Sequence, residues 1–511
     1  MQNVLLALLV GNVTLRFFTN YLNVLPRVLN IADLLLVALL AVLFMLGGRD
    51  PRRVKSGFGK FTRRLLIFNV IAILGTLFNT RYIYPLSSVS QLLMWNEPIV
   101  LFLVLTNAQF SVADIEQFMK TLRRLLKLEL FIGFLQVFQF LKTGASEDIL
   151  GTFHHNAEQY QAFVLIGVFH LIGRLELPDL RRRTRHKIAI VGILVLVILI
   201  DNKASWLATA LTLFYIFTTM PTLGLQVRSR AKYLWAFAAI VIFGYFTVIF
   251  TSTSLGKYSH VLDAWNTGNL LNIGKIKAYD DVIDAYWNHP HMILFGSGLG
   301  TFYSRAAWQF MPPSIQDIYS QAPEPTKQAL SESNSMQGVI TPITYIEPFY
   351  RQFYRERKIF PIFSGTADLP CSTYVSLLGE TGVIATLIYL SFYWGTLKHL
   401  RELLRTFGND AFMFPFAVAA MGFFIYLMLM GTYNFWLEDA RLGTILWSMI
   451  AMVFKYAELK HGEINARPYI KTPELLKSNT ARFRPVSRRP QETLIHRNQV
   501  FVSQIERKRF E

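Results

Sequence analysis

The fold class this chain predicts is an all-α polytopic membrane protein, with about twelve transmembrane helices, both termini cytoplasmic, and one large, partly helical loop domain on the outer face. Three observations predict it. Of 511 residues, 52% are apolar and only 16% charged, with mean hydropathy +0.34; a soluble domain carries roughly 25% charge. The apolar residues gather into blocks of the order that crosses a hydrocarbon core of about 30 Å. The connectors between blocks sort by Lys and Arg content. This composition excludes a soluble enzyme and a disordered tail protein. A single cysteine, Cys371, excludes a disulfide-stapled secreted domain.

The blocks fall at about 2–18, 31–47, 65–79, 87–106, 125–141, 160–173, 188–200, 205–220, 233–250, 373–394, 412–431 and 441–455. The first lacks a basic leader and an A-x-A cleavage site, so it reads as an uncleaved span, although Arg16 interrupts it. Net charge is 51 − 33 = +18. In a soluble protein that excess would point to nucleic acid; here its placement matters more. Arg49–Arg64, Lys120–Lys127, Arg174–Lys187, Arg228–Lys232 and Lys398–Arg405 are basic, whereas the connectors near 80–86, 142–159, 201–204 and 432–441 are not. With twelve spans the basic connectors all fall on one side, which the positive-inside rule makes cytoplasmic.

The chain then divides into spans one to nine (1–250), an outer loop domain (251–372), spans ten to twelve (373–455) and a tail (456–511). From Lys455 to Glu511 there are thirteen basic residues against six acidic and no apolar period. The tail reads as a disordered cytoplasmic extension near anionic lipid. The 122-residue loop Thr251–Ser372 is nearly neutral, with nine basic and ten acidic residues, and aromatic throughout. It reads as a small folded unit with a flexible stretch near Gln321–Gly338. Within it Tyr279, Val282, Ile283, Tyr286 and Trp287 share one helix face, opposite Lys277, Asp280, Asp281 and Asp284. Such a face lies on the bilayer interface or packs against the spans. Gly296, Gly298 and Gly300 form G-x-G-x-G with no preceding strand. They read as a tight turn at a cleft rim rather than a nucleotide loop.

Four stretches carry a family resemblance: GTFHHNAEQYQAFVLIGV (151–168), DNKASWLATAL (201–211), GKIKAYDDVIDAYWNHPHMILFGSGLGTF (274–302) and STYVSLLGETGVIATLIYL (372–390). In their order, and with the long outer loop between the last spans, they resemble the O-antigen polymerase and ligase superfamily over about residues 30–455. The resemblance implies a multi-pass glycosyltransferase of the bacterial inner membrane whose active site faces the periplasm. It implies no cofactor, no nucleotide sugar and no metal, with a glycan on undecaprenyl diphosphate as donor and a second lipid-linked oligosaccharide as acceptor. Other implied partners are the membrane, a flippase and a chain-length regulator, but not nucleic acid. The chain departs from the pattern at Lys203 and Lys275, where Arg is usual, at Tyr279 in place of Trp, and at Cys371–Ser372 in place of the ligase His-Asn. Loss of that His favours a polymerase of O-antigen or exopolysaccharide over a ligase that loads lipid A core or a protein.

The diphosphate leaving group calls for cations in a desolvated cleft, where Arg grips two phosphate oxygens and Lys acts as a point charge. The resemblance points to Lys203 and Lys275 for this work, and loop position and charge add Arg305, Arg351 and Arg355. Each also reads as a solvated charge or a headgroup contact. Glu380, about two turns into the tenth span, matches the family's Glu and is either the general base or a hydrogen-bonding partner of a neighbouring span. Asn156, at a span mouth, is expected to contact sugar or diphosphate by resemblance. His154 and His155 lack a third ligand for zinc. Trp265, Tyr303, Trp308, Tyr345, Phe349, Tyr350 and Tyr354 stack on sugars or form the loop's own core. The reading of another class is a transporter or flippase of lipid-linked sugars, against which no pair of broken spans in matching halves appears.

Overall fold

The computed structural model describes residues 1–22, 24–26, 32–48, 58–78, 85–143, 149–153, 157–177, 183–200, 203–222, 266–268, 274–309, 372–408 and 410–460. About 86% of these are helical and none forms a strand. In order the helices are α1 (Gln2–Arg16), α2 (Ala32–Leu43), α3 (Phe58–Phe78), α4 (Pro85–Asn107), α5 (Val112–Thr143), α6 (Ala157–Glu176), α7 (Arg183–Leu199), α8 (Lys203–Thr222), α9 (Gly274–Asn288), α10 (Met292–Phe295), α11 (Arg305–Gln309), α12 (Thr373–Thr406), α13 (Met413–Met430) and α14 (Ala440–Lys460). Every apolar block overlaps a helix except 233–250, which lies outside the described residues.

Five of these helices are long and apolar enough to cross a membrane: α4, α12, α13, α14 and the Phe61–Phe78 part of α3. Their burial differs. Nearly all of α13 and α14 is inside the molecule; α13 packs on α6, α8, α12 and α14, and α14 on α4, α5 and α1. Trp447 of α14 joins Phe102 of α4, Phe392 of α12 and Phe424 of α13, with ring centroids 5.2, 5.0 and 5.9 Å away. Aromatic pairs at such separations add about 0.5–1.5 kcal/mol each beyond the area they bury. On the periphery, α3 turns Leu66, Val70, Leu77 and Phe78 outward, and α5 does the same with Phe131, Phe138 and Leu141. A continuous apolar exterior of this kind suits hydrocarbon and not water.

Helices reach further than the hydropathy blocks. The basic run Lys120–Lys127 lies inside α5 and Lys398–Arg405 forms the C-terminal end of α12, so neither is a loop. Lys, Arg, Glu and Leu are good helix formers, so the helix continues where hydropathy stops. Likewise α14 runs to Lys460, which makes the first residues of the expected tail helical; 461–511 lie outside the described residues.

Of the outer loop, 266–268 and 274–309 are described, and the stretch Gln321–Gly338 lies outside them. The expected helix forms as α9, but its apolar face divides. Ala278, Val282 and Ala285 bury against Met292, Phe302, Tyr303 and Val375, with Tyr279 and Tyr286 alongside. Ile283 and Trp287 point outward, at 53% and 80% exposure. The two alanines are small enough to let α9 approach α12 closely, and that rotates the buried stripe away from the bulkier side chains. Lys277 pairs with Asp281 at 2.8 Å, and Asp281 also accepts the Tyr303 hydroxyl at 2.6 Å. Tyr303 therefore belongs to the loop's core.

Candidate functional site

A glycine turn carries the chain from α10 to α11. Gly296 has φ +69°, and a Cβ there would fall 2.2 Å from the Glu380 backbone carbonyl. Only glycine fits this approach. The turn's backbone groups are satisfied by three helices at once. From α12, the Gly379 and Glu380 carbonyls accept Ser297 N–H at 2.8 Å and Gly298 N–H at 3.1 Å, and Glu380 Oε1 accepts Phe302 N–H at 3.0 Å. From α3, Thr76 Oγ1 accepts Leu299 N–H at 2.9 Å; from α4, Ser87 and Ser88 donate to the Gly300 and Leu299 carbonyls at 2.6 and 2.8 Å. The turn is thus fixed to the bundle and sets the position of Arg305, five residues after Gly300.

Arg305 meets a pair of adjacent acids in the connector between α13 and α14. Glu438 is fully buried. Its Oε1 accepts Ser376 Oγ–H at 2.6 Å; its Oε2 accepts Gln91 Nε2–H at 2.8 Å and the backbone N–H of Arg305 at 3.0 Å. Burial pushes this carboxyl above the ordinary Glu value, and the hydrogen bonds and the Arg305 charge only partly offset it. Asp439 holds the other end of the same arginine, its Oδ2 pairing with Arg305 Nη1 at 2.9 Å. Gln159 of α6 also donates to Asp439 Oδ2. Arg441 completes the cluster by donating to Gln159 Oε1 and the Asn12 carbonyl, each at 3.0 Å, with its guanidinium 4.8 Å above the Phe153 ring.

Arg305, Asp439 and Gln159 border a cavity of about 220 Å³ whose lining also includes Glu158, Asn434, Phe435 and Trp436. Asn434 Nδ2 reaches Glu158 Oε2 at 3.5 Å. Trp436 is 4% exposed and its indole N–H has no acceptor among the described residues. The lining offers one guanidinium, two carboxylates, two amides and two aromatic faces. That chemistry matches a molecule with many hydroxyls and one anionic end, since carboxylates and amides pair with hydroxyls while the guanidinium and indole N–H are donors.

Of the residues the sequence singles out, the structure brings Arg305 into the cavity wall and Lys275 beside it. Lys275 Nζ donates to the Tyr433 carbonyl, one residue before Asn434. Glu380 does not line the cavity; its side chain is fully buried behind the glycine turn. Lys203 opens α8, with its side chain outside the described set, and Asn156, Arg351 and Arg355, like His154 and His155, lie outside the described residues. Among the described residues no group of three or more His, Cys, Asp or Glu is placed to hold a metal ion. Ser372 donates to the Gly431 carbonyl at 3.1 Å and lies 3.2 Å from the Tyr279 hydroxyl.

Sequence reasoning missed Glu158, Gln159, Asn434, Trp436, Glu438 and Asp439. A signal for some of them exists in NFWLEDAR (434–441), where two aromatic residues, two adjacent acids and an arginine interrupt a connector poor in basic residues. No protein-family profile matches the chain and no curated protein is significantly similar to it.

Proposed function

We propose that the protein is a polysaccharide polymerase of the O-antigen polymerase and ligase type. In this reading it is a multi-pass inner-membrane enzyme that moves a growing glycan from undecaprenyl diphosphate to the next lipid-linked repeat unit on the periplasmic side. About twelve spans, cytoplasmic termini and a periplasmic cavity belong to this reading. The observation that carries it is the cavity itself, in which an arginine, two carboxylates, two amides and two aromatic rings converge within a helical, outwardly apolar molecule.

The cavity's charge divides the work. Two carboxylates against one guanidinium suit the sugar better than the diphosphate. The diphosphate then sits by Arg305 and Lys275, with Lys203, Arg351 and Arg355 as further candidates and Asn156 on the sugar. As the bond to the lipid diphosphate breaks, negative charge grows on the leaving oxygen, and cations placed there beforehand stabilise the transition state more than the ground state. Glu380 acts here by holding the glycine turn that carries Arg305.

The test is a gel of cell-surface glycans from a strain lacking the protein. Single repeat units in place of a ladder support the polymerase. Long chains held on the lipid carrier would indicate a ligase, and an unchanged ladder would remove the protein from glycan assembly.

A further inference from the structure

The two partners of the Arg305–Asp439 ion pair are held unequally. Asp439 is fixed: Oδ1 accepts the Leu442 N–H at 3.0 Å as the cap of α14, Oδ2 accepts Gln159 as well as Arg305, and its side chain is 8% exposed. Arg305 is tethered once. Its bond to Asp439 at 2.9 Å is the side-chain hydrogen bond it makes among the described residues, and its side chain is 26% exposed. A guanidinium has five N–H donors in a planar fork that fits phosphate oxygens two at a time. Of the two partners the arginine is the less constrained.

Resting on the glycan-transfer reading, we propose that Asp439 is the general base of the transfer and that Arg305 masks it in the empty site, releasing it by turning to the donor's diphosphate. Displacement at the anomeric carbon puts the attacking and leaving oxygens on opposite sides of that carbon, so the pair has to part for both to work. The acceptor hydroxyl gives its proton to Asp439 Oδ2, and its oxygen forms the bond to the anomeric carbon. The bond from that carbon to the diphosphate oxygen breaks, and its electron pair leaves on the diphosphate, held by Arg305. Asp439 then returns the proton to the departing diphosphate or to water, and the step needs no other reactant. Neither neighbouring acid combines these features. Glu438 is committed to Ser376, Gln91 and the Arg305 backbone and does not line the cavity. Glu158 lines it against Asn434 rather than Arg305.

The experiment uses full-length protein in lipid nanodiscs and the lipid-linked repeat unit extracted from a strain lacking the protein. Asp439→Asn keeps a good helix cap and an acceptor oxygen for Gln159, and Asp439→Gly keeps most of the capping but leaves the Gln159 and Arg305 donors without their acceptor, so thermal melting first establishes that each variant is folded. General-base catalysis is worth about 10²–10⁴-fold. The expected result is a kcat lowered at least about 100-fold in both variants with KM near that of wild type, and partial rescue of Asp439→Gly by added formate. Wild-type rates in Asp439→Asn, or folded Asp439→Gly that formate cannot rescue, would overturn the assignment while glycan transfer stands. A wild-type protein that extends nothing would bring down both.

Discussion

Glu438 accepts three hydrogen bonds while fully buried, so its removal strands three donors. Buried unsatisfied groups cost about 1–3 kcal/mol each, and Glu438→Ala should lose ~3 kcal/mol or more, read as a lower melting temperature in detergent. The proton on Glu438 also has a sign. Its folded pKa is raised, so between the ordinary Glu value of about 4.3 and the higher folded value the folded chain binds more protons than the unfolded chain. Stability therefore falls as pH rises through that window. The melting temperature of wild type should decline more steeply there than that of Glu438→Gln; equal slopes would remove Glu438 as the cause. Lys275 tests a different role. Lys275→Ala removes the donor to the Tyr433 carbonyl beside the cavity, and glycan product should be lost while the amount of protein in the membrane, read by immunoblot, is unchanged; the same outcome is expected of Lys203→Ala. At this scale the sequence revealed the chemistry of single residues but not their meetings. Arg305 was legible as a loop cation, whereas its partner Asp439 lies 134 positions after it, and Gln159 lies 280 positions before Asp439. No periodicity links such positions, because the fold alone brings them together.

At the scale of elements, the glycine turn and the break in α12 interlock. Gly382 sits inside α12 with φ +74°, where a Cβ would fall 2.7 Å from the Ile293 carbonyl of α10. That break lets α10 lie across α12, and it is the counterpart of Gly296 meeting the Glu380 carbonyl from the other side. A non-glycine residue forced into such a conformation costs of order 1–3 kcal/mol before any clash. Gly296→Ala and Gly382→Ala should each loosen the α9–α11 segment from the bundle, seen as faster protease cleavage within 274–309 and reduced glycan product. Wild-type cleavage rates would show that the turn tolerates a side chain. The G-x-G-x-G spacing was readable as a tight turn, and the helical period of α9 was readable as well. What it packs against was not, since Ala278 and Ala285 look unremarkable in a hydropathy profile and yet set the buried stripe. The helical continuation of α5 and α12 through their basic runs escaped notice for a related reason: hydropathy reports what lies in hydrocarbon, not where a helix stops.

For the whole molecule, the apolar exterior and the charged cavity make opposite demands on solvent, and both are met if the helices cross a bilayer and the cavity opens at its edge. In the proposed function, a polyprenyl chain remains in lipid there while its diphosphate and sugars reach a cavity lined by Arg305, Asp439, Phe435 and Trp436. Extracted lipid-linked repeat units offered to wild-type protein and to Arg305→Ala in sealed vesicles test this most directly, with glycan length and sidedness read together. The expected result is a ladder of lengthened glycans from wild type and none from Arg305→Ala. Repeat units that cross the bilayer with their length unchanged would contradict it and identify a transporter.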